Sequence, residues 1–444
     1  MLVILGVFGI TLFGFILTLI LLPKMSVLPR LALGYLLGIG LITLFMFLAY
    51  LAGFRFTFEN TAKILIFSNI ILAPLALLLR KRVKVEVGLE EIGRFFKGMD
   101  SFEKLIFGAI LFFLFSSLIF TLYYPVGAWD ALALYDWRAK IFVDTGGMEE
   151  GIARGFFFGY PFMTSLAHTF VYLFGGENPK FIYSLIFIAF TILFYNALRE
   201  FSSKKISLLT TLGLITIPSL LNHSTIAYTN MPYTAYFVLS VVYLYIWMVK
   251  QKSGYLALSA FLAGLSTWIR SSEPFWMVNL GVLIIFCFWK RKFLSPVFYS
   301  LIFFSVQQPW KLFLARMLGE QYSTLGVVQT SVSVFVTKFN PERFVEILVY
   351  VWKNAIHSNI LYFGLLLVII LTQARRIFKE KFFWYLFLIF GYLVLILVGS
   401  YIFSFVYPKW REVPGSLGRM VMFFPPLLLF YFGISDVVKK IFGK

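Results

Sequence analysis

The sequence predicts an all-α, polytopic membrane protein, and three observations support this fold class. The 444 residues are 60% hydrophobic and only 13% charged, whereas about 25% of the residues in an ordinary soluble domain carry a charge. Apolar runs of about 20 residues, long enough for a helix to cross a hydrocarbon core of roughly 30 Å, recur along the whole chain. Segments with alternating polarity, typical of membrane β-barrels, are absent from the sequence, so the backbone polar groups must be satisfied within helices.

Thirteen apolar stretches are interpreted as membrane spans. They are residues 2–22, 31–53, 62–79, 105–124, 180–198, 206–222, 231–249, 254–269, 274–289, 294–308, 358–373, 382–403 and 419–436. The first stretch has no charged leading region and no clear small-residue cleavage site, so we expect a retained helix rather than a signal peptide. A further stretch, 161–174, is only about a dozen residues long, which favours an interfacial or half-inserted helix over a span.

The distribution of positive charge gives the orientation. With thirteen crossings, most of the 39 lysines and arginines fall in loops on one side, which the positive-inside rule assigns to the cytoplasm. Most of the net charge of +19 then lies where it meets anionic membrane lipids, and no nucleic-acid partner is needed to explain it. Segment 83–104 is expected to lie along the cytoplasmic surface as an amphipathic helix. The single cysteine, Cys287, excludes an internal disulfide and a zinc site built on clustered cysteines.

Unusual polar residues gather on the extracytoplasmic side of this topology. The loop after the fourth span carries Asp130 and Asp136, and the same side receives the turns 223–230 and 270–273 and the loops 309–357 and 404–418. Polar groups near membrane depth are costly and often mark a site. In a helix, Asp136 and Lys140 form an i, i+4 pair. A structural salt bridge therefore explains Asp136 at least as well as a catalytic or substrate-binding role. Asp130 has no such partner and is a candidate catalytic base, with a helix N-cap as the alternative.

Two sequence segments resemble the first extracytoplasmic loop of the GT-C membrane glycosyltransferases. They are WDALALYDWRAKIF and GYPFMTSLAHTFVYLFG, which begin at residues 129 and 159. In that superfamily this loop carries an essential acidic residue, matched here by Asp130. A turn matched by Tyr160 and Pro161 then leads into a helix on the outer surface. The resemblance implies a catalytic module over 105–444 and a transmembrane extension with a cytoplasmic amphipathic segment over 1–104.

Looser similarities extend along the rest of the chain. AYTNMPYTAYF resembles a family segment, but Asn230 stands where Asp is commoner, and this departure puts a second catalytic or metal-binding acid in doubt. AGLSTWIRSSEPFW resembles a turn with a basic residue and a Glu at its tip, matched by Arg270 and Glu273. SLGRMVMFFPPLLLF resembles a closing helix that begins with an arginine, matched by Arg419.

This resemblance implies transfer of a sugar from a polyprenyl-phosphate donor to a hydroxyl of a lipid, glycan or protein acceptor, with inversion and with Asp130 as general base. No cofactor is certain, and a divalent metal is one possibility. The residues expected to neutralise the leaving phosphate are Arg270, Lys311, Arg411 and Arg419. The alternative roles are pairing of Arg270 with Glu273, and extension of Arg411 and Arg419 to the membrane surface.

The remaining candidates are histidines and tryptophans. His168, His223 and His357 match no metal-binding spacing, so structural hydrogen bonding is the better interpretation, with His357 retained as a substrate-binding candidate. Three tryptophans lie beside the predicted site, namely Trp129, Trp137 and Trp310. In one interpretation they stack on a sugar ring, and in the other they pack within the protein or anchor it at the membrane interface.

Two other functions remain open. A transporter or flippase of a lipid-linked or anionic solute would also gather cationic groups, but many such proteins show repeated halves, and this sequence shows no internal repeat. A polymerase or ligase of lipid-linked glycans uses similar chemistry.

Overall fold

A computed structural model of the chain describes residues 1–79, 93, 96–150, 160–270, 274–372, 380–407 and 409–442. Every regular element in these ranges is helical, which confirms the all-α prediction. The α-helices are α1 (Leu2–Leu21), α2 (Val27–Leu51), α3 (Phe58–Leu79), α4 (Ser101–Tyr123), α5 (Trp137–Thr145), α6 (Met163–Leu173), α7 (Phe181–Arg199), α8 (Lys204–Ile215), α9 (Pro218–His223), α10 (Asn230–Lys250), α11 (Ser253–Ile269), α12 (Trp276–Trp289), α13 (Leu294–Leu318), α14 (Thr324–Thr337), α15 (Pro341–Val351), α16 (Ile360–Thr372), α17 (Glu380–Val406), α18 (Pro414–Met420), α19 (Phe424–Ile434) and α20 (Asp436–Phe442).

Membrane embedding follows from the length and composition of these helices. Within the described ranges, seven helical stretches are long and apolar enough to cross a membrane. They are α1, α2, α4, α7, α10, the stretch Pro341–Thr372 and the stretch Phe382–Val406. The chain is therefore a polytopic α-helical membrane protein, whereas the count of thirteen crossings stays a prediction.

Glycines bring α1 and α2 into close contact. A Cβ atom at Gly14 would lie 1.9 Å from the carbonyl oxygen of Gly34, and one at Gly38 would lie 2.1 Å from that of Ile10. Gly34 and Gly38 are spaced as in the small-xxx-small patterns that let membrane helices approach closely. The two backbones touch at these positions, so no larger residue fits there without moving a helix.

The centre of the bundle is formed by α2, α10 and α11. Nearly all of α10 is buried. The indole N–H of Trp268 in α11 donates to the hydroxyl of Thr43 in α2 at 3.1 Å, and the Tyr236 hydroxyl of α10 donates to the carbonyl of Leu36. The N-terminal helices thus pack into the same core as the rest of the chain.

A buried hydroxyl cluster fixes α4 against α7 and the segment after α9. Ser117 lies 2.8 Å from both Ser184 and Ser224, measured between hydroxyl oxygens, and Thr121 lies 2.9 Å from Ser184. Ser117 and Thr121 belong to the helix that leads into Asp130. The cluster therefore sets the position from which the first predicted extracytoplasmic loop departs.

Two predicted spans are interrupted. The stretch 206–222 forms α8 and α9, separated at Thr216 and Ile217, because Pro218 cannot continue the preceding helix and instead begins the next one. The stretch 419–436 is likewise broken, since Arg419 lies at the end of α18 and a new helix starts at Phe424, with prolines in its first turn. Single continuous helices were therefore the wrong expectation at both places.

Other sequence expectations also change. The predicted loop 309–357 is largely helical, because α13 continues through Pro309 to Leu318 and α14 and α15 follow. The stretch 161–174, predicted as an interfacial or half-inserted helix, contains α6, whose residues from Met163 to Val171 are all buried against other parts of the protein; its depth in the membrane stays a prediction. Most of the predicted amphipathic segment 83–104 lies outside the described residues.

Candidate active site

Asp130 is presented at the start of a π-helix. The turn Ala131–Asp136 is π-helical, and Asp130 precedes it with φ −63°, but its carboxylate makes no capping hydrogen bond. The N-cap alternative for this side chain is therefore wrong. Instead, the Arg419 guanidinium donates to the Asp130 carboxylate, with 3.1 Å between Nη1 and Oδ2. Both side chains keep more than a third of their surface exposed, at 37% for Asp130 and 39% for Arg419, so a ligand can reach the pair.

Tyr228 lies close to both Asp130 and Arg419. The backbone N–H of Asp130 donates to the Tyr228 hydroxyl at 3.3 Å, and the Arg419 guanidinium lies 5.9 Å from the centre of the Tyr228 ring. The His223 ring also packs near Tyr228, with 6.1 Å between ring centres. The three segments that meet here are the loop after α4, the loop between α9 and α10, and the end of α18.

Arg270 lies in the same neighbourhood. Its guanidinium is 5.3 Å from the ring centre of Tyr160 and 5.9 Å from that of Tyr233, and the side chain is mostly buried. Burial lowers the pKa of His223, and the positive charges of Arg419 and Arg270 lower it further. Both arginines are therefore close enough to act on one imidazole.

Asn230, the first residue of α10, is buried beside this neighbourhood. Its predecessor Thr229 is hydrogen-bonded to the hydroxyl of Tyr135, with 3.1 Å between the two oxygens. Glu273, the predicted partner of Arg270, lies outside the described residues.

Asp136 occupies a different environment, since it is buried between α5 and α6. The predicted ion pair with Lys140 is present at 2.9 Å, and Asp136 also accepts hydrogen bonds from Tyr172 and from Nδ1–H of His168 at 3.1 Å. Burial alone would raise the pKa of Asp136, but the bonds and charges of His168, Tyr172 and Lys140 outweigh it and lower the pKa to about 2. Asp136 thus holds α6 against the loop, and its carboxylate is not accessible to a substrate.

His168 completes this network. Its Nε2 accepts from the Tyr183 hydroxyl at 3.0 Å while Nδ1–H donates to Asp136. Burial lowers the pKa of His168, and the opposing attraction of Asp136 does not compensate. The neutral imidazole therefore serves as a structural connector, which agrees with the interpretation of this residue as a hydrogen-bonded histidine.

Arg138 is a buried cation that sequence reasoning missed. Its guanidinium donates from Nε to the Leu134 carbonyl at 2.8 Å and from Nη1 to the Tyr160 carbonyl at 3.1 Å. It also lies 5.1 Å from the ring centre of Phe162. Arg138 therefore holds the Tyr160–Pro161 turn against the π-helix. No sequence pattern marks this role, because both acceptors are backbone carbonyls.

Three further predicted residues, Arg411, Lys311 and His357, lie on other elements. Arg411 is exposed and pairs with Glu346 at 2.6 Å, and Lys311 is buried in α13. His357 is exposed in a short 3₁₀ turn that follows the π-helix Trp352–Ile356, and this π-helix packs against α18. The structure therefore brings Asp130, Arg419, Arg270 and Asn230 into one region, and leaves Arg411 in an ion pair of its own.

The three tryptophans differ in exposure. Trp129, next to Asp130, is 80% exposed, and Trp137 is 39% exposed. Trp310 is buried and packs against Phe162 and Trp268, with ring centres 4.9 and 6.1 Å away. Trp310 is thus a packing residue, and Trp129 keeps a face that a sugar ring can reach.

The described residues do not contain a group of three His, Cys, Asp or Glu side chains placed to hold a metal ion. The ion-pair partner of Asp130 is Arg419, and the ion-pair partners of Asp136 are His168 and Lys140. Neither carboxylate is thus described in contact with a second acidic side chain. The divalent metal that the resemblance allows is therefore not assigned to these residues.

The fold and this site define a membrane-embedded, polytopic helical protein with an accessible acid–arginine pair. Compared with protein-family models, curated proteins and solved structures, the chain gives no significant match.

Proposed function

We propose that the chain is a membrane glycosyltransferase of the GT-C kind, which transfers a sugar from a polyprenyl-phosphate donor to a hydroxyl group of an extracytoplasmic acceptor. The observation that carries this proposal is the ion pair between Asp130 and Arg419. The family resemblance selects these two residues separately, from segments 289 positions apart, as the essential acid and as a cation for the phosphate. Their contact supports a shared role.

The chemistry uses the two residues in turn. The acceptor oxygen forms a bond to the anomeric carbon while the bond from that carbon to the phosphate oxygen breaks, and the phosphate leaves with the electron pair. Asp130 accepts the proton of the acceptor hydroxyl. Arg419 stabilises the negative charge on the leaving phosphate, because a guanidinium binds phosphate oxygens through paired hydrogen bonds.

The ion pair also suggests an order of events. Without donor, the Arg419 guanidinium occupies one oxygen of the Asp130 carboxylate. A donor phosphate is a competing anion for the same guanidinium, and both side chains are exposed enough to exchange partners. When the donor phosphate binds Arg419, the Asp130 carboxylate is released and can accept the proton of the acceptor hydroxyl.

The direct test follows label from radioactive polyprenyl-phosphate hexoses and pentoses into the lipid, glycan and protein fractions of membranes that contain the chain. Asp130→Asn removes the base, so the rate of transfer should fall by roughly 10² to 10⁴-fold. The matched control is Asp144→Asn, because Asp144 is an exposed aspartate near the end of α5, on the same predicted extracytoplasmic segment.

Two results would contradict the proposal. Full activity of Asp130→Asn would remove Asp130 as the base. Movement of the intact donor across the membrane without release of polyprenyl phosphate would instead identify a transporter or flippase.

A further inference from the structure

A cavity of about 350 Å³ lies at the end of the bundle away from Asp130. It is formed by the last turns of α10, the turn after α12 and the first turns of α17. Its lining residues are Tyr245, Met248, Val249, Gln251, Lys290, Lys292 and Trp384. Helix α10 begins beside Tyr228 and has 21 residues, so its two ends are roughly 30 Å apart. The cavity is therefore separate from the candidate active site.

The cavity is cationic. Lys290 and Lys292 line it, and none of its described lining residues is acidic. The Lys292 ammonium donates to the Gln251 side-chain carbonyl at 2.5 Å, and an ammonium group has three donors, so the contact with Gln251 leaves capacity for an anion. The nearby Lys250 pairs with Glu200. The chemistry of the lining thus favours a negatively charged ligand.

The rest of the lining is apolar. Met248, Val249 and Trp384 contribute apolar surface to it. The chain on either side of Lys290 and Lys292 exposes large apolar side chains, namely Phe288, Trp289, Phe293 and Leu294. Tryptophan and lysine side by side are typical of the level where membrane lipids carry their headgroups. A small soluble anion gains nothing from an apolar wall, whereas a lipid places both its phosphate and its first methylene groups there.

We propose that this cavity binds the phosphate of an anionic phospholipid, with Lys290 and Lys292 contacting the headgroup and Met248, Val249 and Trp384 contacting the start of an acyl chain. By the charge distribution of the sequence, this end of the bundle faces the cytoplasm, where anionic lipid is attracted to lysine and arginine. The proposal does not depend on sugar transfer.

The experiment uses the full chain in detergent, depleted of native lipid. The shift of the thermal unfolding midpoint is measured against the concentration of phosphatidylglycerol, phosphatidylcholine or inorganic phosphate. Native mass spectrometry counts the phospholipids that remain bound. The variant is Lys290→Gln with Lys292→Gln, and the matched control is Lys24→Gln, an exposed lysine predicted on the same side. A second variant, Lys290→Arg with Lys292→Arg, keeps both charges.

We expect phosphatidylglycerol to raise the unfolding midpoint of the wild type and of the Lys24→Gln and arginine variants. Two lysines near an anionic lipid contribute about 1 kcal/mol each, so the double glutamine variant should need about 30-fold more phosphatidylglycerol for the same shift and should retain one lipid fewer. An equal response of the double glutamine variant would overturn the proposal. An equal response of the wild type to phosphatidylcholine would exclude anion recognition, and an equal response to inorganic phosphate would exclude a lipid-specific site.

Discussion

The Asp130 carboxylate and the Arg419 guanidinium are 3.1 Å apart although 289 positions separate them in the chain. Each residue lies near the end of its helical segment, since Asp130 precedes the π-helix that continues into α5 and Arg419 lies near the end of the seven-residue helix α18. Their contact depends on the positions of several packed helices, so it reports on the whole fold.

Arg419 gives the first prediction. Arg419→Gln should lower kcat/KM for donor by roughly 10² to 10³-fold, because the charge that stabilises the leaving phosphate is lost. Arg419→Lys keeps the charge without the paired hydrogen bonds and should retain part of the activity. The measurement is steady-state transfer with the single variants and with Asp130→Asn combined with Arg419→Gln. Residues that act on one step give non-additive effects, and strictly additive losses would argue against a shared role.

The buried histidine gives a pH dependence. Burial lowers the pKa of His168 below its ordinary 6.5, so below about pH 6.5 the unfolded chain binds a proton that the folded chain does not. The free energy of unfolding should therefore fall as the pH drops from about 6.5, by at most about 1.4 kcal/mol per pH unit for one proton. Asp136, with its pKa lowered to about 2, contributes stability that is lost only at much lower pH.

The check is the unfolding midpoint of the purified chain, measured between about pH 5 and pH 8. His168→Gln should make the unfolding midpoint less dependent on pH. Part of the dependence should remain, because burial also lowers the pKa of His223. His357→Gln, at an exposed position, is the control variant. A His168→Gln variant with an unchanged slope would exclude His168 as a source of the effect.

The contact between α1 and α2 gives a third prediction. Gly38→Ala places a methyl group 2.1 Å from the Ile10 carbonyl oxygen, so the helices must separate, and the cost should be about 1–3 kcal/mol. Gly108→Ala in α4 meets nothing within 4 Å and should be neutral or slightly stabilising, because alanine favours helix. Thermal unfolding of both variants in the same detergent makes the comparison, and equal midpoints would contradict the close approach.

The predicted orientation has its own test. Trp129→Cys, in a background where the buried Cys287 is replaced by Ser, places a thiol at an exposed position next to Asp130. An impermeant maleimide should label it in intact cells, whereas Lys292→Cys should be labelled only after the membrane is opened. Labelling of the cysteine at 129 from the cytoplasmic side alone would reverse the predicted topology.

The helical class and the gathering of polar residues were predictable from the sequence, because apolar length and charge asymmetry are local properties. The ion pair of Asp136 with Lys140 was predictable for the same reason, since helical spacing brings the two together. The hydrogen bonds of His168 and Tyr172 to Asp136 were not predictable, because these residues lie on another helix and no local pattern shows which helix packs against the loop.

Helix irregularity limited the predictions at the site. The helical spacing used for Asp136 and Lys140 assumes an ordinary α-helix, whereas the turn between Asp130 and Asp136 is π-helical over Ala131–Asp136. π-Helical turns are rare and frequently occur at functional sites, and the sequence contains no residue pattern that marks this one. The role of Arg138 was hidden because its hydrogen-bond acceptors are backbone carbonyls, which any residue provides.

The hydroxyl cluster of Ser117, Thr121, Ser184 and Ser224 fixes the axial position of α4 relative to α7 and to the segment after α9. Burial of apolar surface does little to hold helices together in lipid, so close packing and polar contacts between helices set their relative position. A slip of α4 by one turn would carry its end about 5.4 Å along the helix axis, which is farther than the distance that joins Asp130 to Arg419. These four buried hydroxyl groups, near the end of α4 that leads to Asp130, thus help to hold Asp130 where Arg419 can reach it.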